Sequence, residues 1–92
     1  MTESIRRELQ IVNEKGLHAR ASAKFVEVVE DFDAEAEVFR DGMQASGDSI
    51  MGLLMLAAAK GNSIEVETRG RDALPLADAI EKLVADRFGE GR

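Results

Sequence analysis

A single histidine, His18, lies in the segment Lys15-Gly16-Leu17-His18-Ala19-Arg20-Ala21-Ser22, where a loop pattern gives way to the first helical pattern. At such a junction the backbone N–H groups of Ala19, Arg20 and Ala21 have no partner within the helix and point outward. The aligned peptide dipoles add partial positive charge at the same end. That field disfavours an imidazolium, so the placement predicts a neutral ring with a free lone pair, a usable nucleophile near neutral pH. An anion joined to the ring would be held by the helix amides. The guanidinium of Arg20, two residues on, has the shape to contact two of its oxygens. Gly16 permits a tight approach of the loop. These residue types at this spacing suit acceptance of a phosphoryl group on His18 and its onward transfer. The plainer alternative is a surface histidine at a helix cap. Metal binding is not expected, because there is no second histidine and no carboxylate cluster at ligand spacing. Spacing leaves a Ser-His-Asp triad open, but no nucleophile elbow accompanies it.

A second feature is Ser49-Ile50-Met51-Gly52-Leu53-Leu54-Met55-Leu56, a helical segment apolar almost all round. A helix lying on a sheet buries one face only. Leu53 and Leu56 suit the core, and Ile50, Met51, Leu54 and Met55 cannot all be buried with them. That leaves two readings of the set, core residues or a partner surface. Ser49 fits an N-cap worth about 1 kcal/mol. A phosphate placed there would be tolerated by the helix end yet would repel an acidic partner.

The elements that must position these residues follow from periodicity. Residues 5–12 place Ile5, Leu9 and Ile11 on one strand face, with Arg7 as the exception. From residue 19 to about residue 31 the period turns helical, with a stripe of Ala21, Phe25, Val28, Val29 and Phe32. Residues 34–39 alternate Ala34, Ala36 and Val38 against Glu35 and Glu37. Asp41-Gly42 predicts a type I′ turn, with residues 43–46 as the returning strand. Residues 50–60 are expected as a short helix closed by Gly61, and residues 63–68 as a strand with Ile64 and Val66 inward. Asp72 is expected to cap a last helix with Pro75 in its first turn and a stripe of Leu76, Ile80, Leu83, Val84 and Phe88. The order is β-α-β-β-α-β-α. The expected class is α+β: a four-stranded antiparallel sheet, open-faced, with three helices on one side. Glu8, Glu35, Glu37, Glu65 and Glu67 then face water on the bare side, as a solvated face or, alternatively, an acidic docking surface.

Composition narrows the function classes. The chain has 92 residues, which predicts a single domain over 1–92, with a core of about 5–88 and a loose tail at 89–92. Lys and Arg total 12 against 18 Asp and Glu, a formal charge of −6, which argues against nucleic-acid binding. No apolar run reaches the roughly 18–20 residues of a membrane helix. Residues 1–7 lack the apolar core and cleavage site of a leader, so the expected place of action is the cytoplasm. With no cysteine there is no disulfide frame, thiolate metal site or cysteine nucleophile. The core must be largely aliphatic, because Phe25, Phe32, Phe39 and Phe88 are the only aromatics.

Taken together, Gly16-Leu17-His18-Ala19-Arg20 and Ser49-Ile50-Met51-Gly52 resemble the active-site and regulatory-serine motifs of HPr, the phosphocarrier of the phosphoenolpyruvate-dependent phosphotransferase system. The resemblance spans about residues 5–88, and the element order fits that family's open-faced β-sandwich. It implies that His18 takes phosphate on Nδ1 from phosphorylated enzyme I and delivers it to an enzyme IIA, with Arg20 steadying the group and no cofactor. It also implies an apolar docking surface of Ala19, Ala23, Ile50, Met51, Leu54 and Met55, shared by donor and acceptor. Ser49 becomes a candidate target of HPr kinase/phosphorylase. A carrier that visits two partners in turn is expected as a monomer. Two departures stand out: Ala21 where many members have proline, and Lys15 where an asparagine is common. A contact from a C-terminal carboxylate to Arg20 is not carried over. The Ala-Arg-Ala-Ser version is similar to the nitrogen-related branch of alphaproteobacteria, which regulates metabolism; a sugar-transport member is the alternative. From another class, the same surface would serve a regulatory binding module whose contact with target enzymes is switched by phosphorylation of His18 or Ser49.

Overall fold

The computed structural model describes residues 4–92. The leader expectation read from residues 1–7 therefore falls partly on residues 1–3, outside the described residues. Strand β1 (Ser4–Gln10) is followed by α1 (Ala19–Glu30), β2 (Glu35–Arg40), β3 (Met43–Ser46), α2 (Ile50–Met55), β4 (Ser63–Arg69) and α3 (Ala73–Ala85). The sheet order is β1-β4-β2-β3, antiparallel at every pairing.

Register follows the alternation of side chains. Leu9 opposite Ile64 and Val38 opposite Val66 turn inward, so a slip of one residue would bring Glu65 and Glu67 into the core. The helices cover this face. Phe25 and Phe88 are fully buried in one core cluster with Ile11, Leu53, Leu76 and Ile80, each contributing about 1.5–3 kcal/mol by leaving water. On the uncovered face Glu8, Glu35 and Glu65 are exposed and Glu37 and Glu67 half-exposed, as expected. There Arg6 stacks 4.6 Å above the Phe39 ring and reaches Glu65 at 3.4 Å. Arg7, the one charge on the inward face of β1, escapes the core by reaching α3. Its Nη1 lies 2.8 Å from both Asp78 and Glu81. The type I′ turn is present, with φ of +53° at Asp41 and +82° at Gly42.

Several details depart from the sequence reading. The helix expected over residues 50–60 stops at Met55. Ala57 turns left-handed (φ +51°), which frees the buried Ala58 to accept a hydrogen bond from Leu17 N–H at 2.8 Å. Tertiary pairing thus outcompetes further helix, and Gly61 belongs to the turn before β4, its N–H bonded to Ile11 O. Asp72 stands at the N-cap of α3 but makes no side-chain cap. Its carboxylate accepts from Asp33 N–H at 2.9 Å instead. The α1 stripe includes Val26, while Val28 and Phe32 are only half-buried. Phe88 continues the α3 stripe in space but lies past the helix, in a 3-10 turn over Arg87–Gly89.

Candidate phosphoryl-accepting site

His18 occupies the N-cap of α1 with extended backbone, φ −78° and ψ −177°. The first helical hydrogen bond runs from Ser22 N–H to His18 O at 2.8 Å. The N–H groups of Ala19, Arg20 and Ala21 therefore stand ahead of the helical ladder, as the sequence indicates. The preceding loop is fixed on several sides. Gly16 has φ +66°, and a Cβ there would lie 2.4 Å from Ala58 O and 2.9 Å from Ala59 Cα. The Gly16 carbonyl accepts from Asn13 Nδ2 at 2.8 Å, and Ser22 Oγ donates to Leu17 O at 3.3 Å.

The residues after α3 supply groups that sequence reasoning missed. Rather than a loose tail, residues 89–92 lie over the active loop, held on both sides. Phe88 O accepts from Lys24 Nζ at 2.6 Å, and Arg92 O accepts from Glu14 N–H at 3.1 Å. Arg87, Phe88, Gly89 and Gly91 all take positive φ, which curls the segment back on itself. The curl brings Glu90 onto the histidine. One carboxylate oxygen pairs with His18 Nε2, and the other accepts from Asn13 Nδ2 at 3.0 Å. The two side chains are 26% and 13% exposed. Partial desolvation pushes the Glu90 carboxyl up. Hydrogen bonds from Asn13 and His18, with the charges of His18 and Lys15, outweigh it and hold the group below the usual carboxylate range. Nδ1 has no hydrogen-bond partner among the described residues.

Around His18 the surface dips into an open depression of about 550 Å³, lined by Lys15, Arg20, Lys24 and Arg92 together with Glu14 and Glu90. Arg20 is exposed and makes no ion pair with a described residue, so its guanidinium is available to an incoming anion. Arg92 Nε stands 3.7 Å from Glu14. Among the described residues no group of three or more His, Asp or Glu is placed to hold a metal. No described helix is long and apolar enough to cross a membrane.

The second motif sits on α2. Ser49 caps the helix, its Oγ accepting from Gly52 N–H at 3.0 Å. Leu53 and Leu56 are buried. Met51 and Met55 are 69% and 73% exposed and Ile50 is 40% exposed, while Leu54 is half-buried. Helix α2 packs beside α1, whose Ala19 is exposed and Ala23 half-buried.

An open-faced α+β sandwich with an accessible histidine at the start of its first helix defines a class of small domains that present a reactive group to partners. Comparison with known proteins makes the class specific. The family model for the PTS HPr component phosphorylation site matches residues 5–86. The phosphocarrier protein HPr of Cupriavidus necator is 44% identical over 87 residues, covering 95% of this chain and 98% of that protein. The phosphocarrier protein NPr of Shewanella violacea is 40% identical over 86 residues, covering 94% of each. The crystal structure of HPr-C-His from Thermoanaerobacter tengcongensis superposes with a TM-score of 0.89 at 31% identity, covering 94% of this chain and 97% of that one. The chain belongs to the HPr family of phosphocarrier proteins of the phosphotransferase system.

Proposed function

We propose that His18 accepts a phosphoryl group on Nδ1 from phosphorylated enzyme I, charged in turn by phosphoenolpyruvate, and passes it to an enzyme IIA. The observation that carries this reading is the pairing of an unpartnered Nδ1 with a free helix start and an uncommitted Arg20. Phosphoryl transfer asks a protein mainly for positioning and for charge stabilisation on the equatorial oxygens. The amides of Ala19, Arg20 and Ala21 and the Arg20 guanidinium supply both. The carrier forms half a site and partners supply the rest. Ala19, Ala23, Ile50, Met51, Leu54 and Met55 form the docking surface for donor and acceptor alike, because phosphate must be presented from one place in either direction. The protein acts as a cytoplasmic monomer rather than as a free-standing enzyme. Ser49 is the proposed site for HPr kinase/phosphorylase and a link to further regulatory enzymes, since a dianion beside the apolar surface would repel an acidic partner.

The pathway we assign is the nitrogen-related, regulatory one. The Ala21-Ser22 version of the motif and the NPr relative support it. A sugar-transport role is the second reading, favoured by the HPr relative at 44% identity.

Phosphorus NMR of the protein with phosphoenolpyruvate, magnesium and enzyme I, beside His18→Ala, tests the carrier reading. An acid-labile phosphoramidate signal in the wild type alone is expected. No signal from a competent enzyme I refutes it and leaves a regulatory binding module, in which target binding survives His18→Ala. Transfer onward to a nitrogen-type rather than a sugar-type enzyme IIA decides the pathway.

A further inference from the structure

We infer that Glu90 is a positioning residue for phosphoryl transfer, fixing the His18 ring proton on Nε2 before attack and holding it there while Nδ1 carries phosphate. The inference rests on the carrier reading above and goes beyond it by assigning a role to the C-terminal segment.

The geometry constrains the tautomer. A carboxylate can only accept hydrogen bonds, so its pairing with His18 Nε2 requires a proton on that nitrogen. In the neutral ring the lone pair is then on Nδ1. When Nδ1 attacks, its lone pair forms the new N–P bond, and the P–N bond of the donor breaks with its electrons returning to the donor ring. The His18 ring then bears phosphate on Nδ1 and a proton on Nε2, and its positive charge faces Glu90. When the acceptor attacks, the P–N electrons return to Nδ1 and a neutral ring leaves with the Nε2 proton still in place. No proton moves in either direction. Were that proton lost to water, the leaving group would become an imidazole anion, which departs poorly.

The carboxylate is built into place. Asn13 is fully buried and donates through one amide nitrogen to Glu90 and to Gly16 O, coupling the carboxylate to the active loop. This orientation leaves Asn13 Oδ1 buried without a partner. Arg87 and Phe88 adopt left-handed backbone at φ +55° and +54°, a conformation such residues rarely take and one that the buried Phe88 ring holds. An orphaned amide oxygen and two left-handed residues both serve the delivery of Glu90, and local strain of this kind clusters at functional sites. The other charges facing the ring are Lys15 and Glu14 from the loop, Arg20 and Lys24 from α1, and Arg92 beyond Glu90.

Glu90→Gln and Glu90→Ala separate this role from simple packing. In Glu90→Gln the Asn13 amide still needs an acceptor and takes the glutamine oxygen. The glutamine NH₂ then faces Nε2 as a donor, which draws the ring proton to Nδ1. In Glu90→Ala the ring is merely unrestrained. Nitrogen NMR of the unphosphorylated ring should therefore place the proton on Nε2 in the wild type, on Nδ1 in Glu90→Gln, and on both in Glu90→Ala. Phosphate uptake from enzyme I should fall in the order wild type, Glu90→Ala, Glu90→Gln, with the last roughly tenfold or more below the first. A packing role predicts the reverse order, with the alanine variant worst. A wild-type ring proton on Nδ1, or Glu90→Gln matching wild-type uptake, overturns the inference. A wild type that takes no phosphate from a competent enzyme I overturns the carrier reading and the transfer role with it.

Discussion

Replacing Gly16 by alanine tests whether the site is set by the close approach of its loop to the segment after α2. Two costs add. The first is left-handed backbone: at φ +66° an alanine is about 1–2 kcal/mol less favourable than glycine. The second is steric. The new Cβ would stand 2.4 Å from Ala58 O, so the loop must move and break the 2.8 Å bond from Leu17 N–H to that oxygen. Leu17 and Ala58 are both buried, and unpaired buried peptide groups cost about 1–3 kcal/mol. The expected loss is about 2–5 kcal/mol in all, a fall in Tm of roughly 10–30 °C for a domain of this size. Gly42→Ala is the internal control. Gly42 also has positive φ, +82°, but nothing lies within 4 Å of its Cβ position, so only the backbone cost of about 1–2 kcal/mol applies. Urea unfolding of both variants, with slopes compared to confirm a common unfolded state, gives the steric share by difference. If Gly16→Ala and Gly42→Ala lose the same stability, the loop is not pinned to Ala58 and the argument for a preset His18 fails.

Three further outcomes are expected. Ser49→Ala should cost about 1 kcal/mol in urea unfolding by leaving Gly52 N–H uncapped; no loss would mean that the hydroxyl does not cap in solution. Met51→Asp should leave stability within about 0.5 kcal/mol, because the side chain is 69% exposed, yet weaken enzyme I binding by about tenfold or more; unchanged binding by calorimetry would remove α2 from the docking surface. The Glu90 carboxyl is held below its ordinary range when folded, so the unfolded state binds more protons there and stability rises with pH. Its contribution is complete above the ordinary glutamate range and lost as pH falls through the lower folded value. The Glu14 amide shift, reporting the bond to Arg92 O, should follow that loss on acidification in the wild type and not in Glu90→Gln.

Much of the fold was legible because each element obeys a local rule. The β2–β3 hairpin could be placed from Asp41-Gly42 because both residues tolerate positive φ, and the strands flanking it lie within one residue of the expected spans. The sheet face could be assigned because glutamates alternate with aliphatics on β2 and β4. Where the reading failed, long-range pairing overrode local preference. Residues 56–60 have helical character, but Ala58 O satisfies Leu17 N–H only if the chain leaves the helix at Ala57. Asp72 has the right type for a cap, but Asp33 N–H, 39 residues away, takes its carboxylate.

The site divides along the same line. His18, Arg20 and the helix amides are neighbours in sequence, so their convergence follows from where one helix starts. Glu90 lies 72 residues from His18, and its approach depends on a run of positive φ that no strong local signal marks; the glycines flanking it, Gly89 and Gly91, are the only hint. Nothing in the local sequence marks Asn13 as part of the site, although its single amide nitrogen ties Gly16 to Glu90. One departure from the family motif, Ala21, acquires a physical sense in this frame. With alanine rather than proline at position 21, the helix start presents one more free N–H to an anion. In the carrier proposed above, the added backbone donor would stand beside the phosphate and the carboxylate on the opposite nitrogen, so charge would be stabilised at both ends of the ring. With the Nε2 proton retained, the ring also remains a good leaving group, and the relative rates of hydrolysis and transfer in the Glu90 variants measure how the two effects balance.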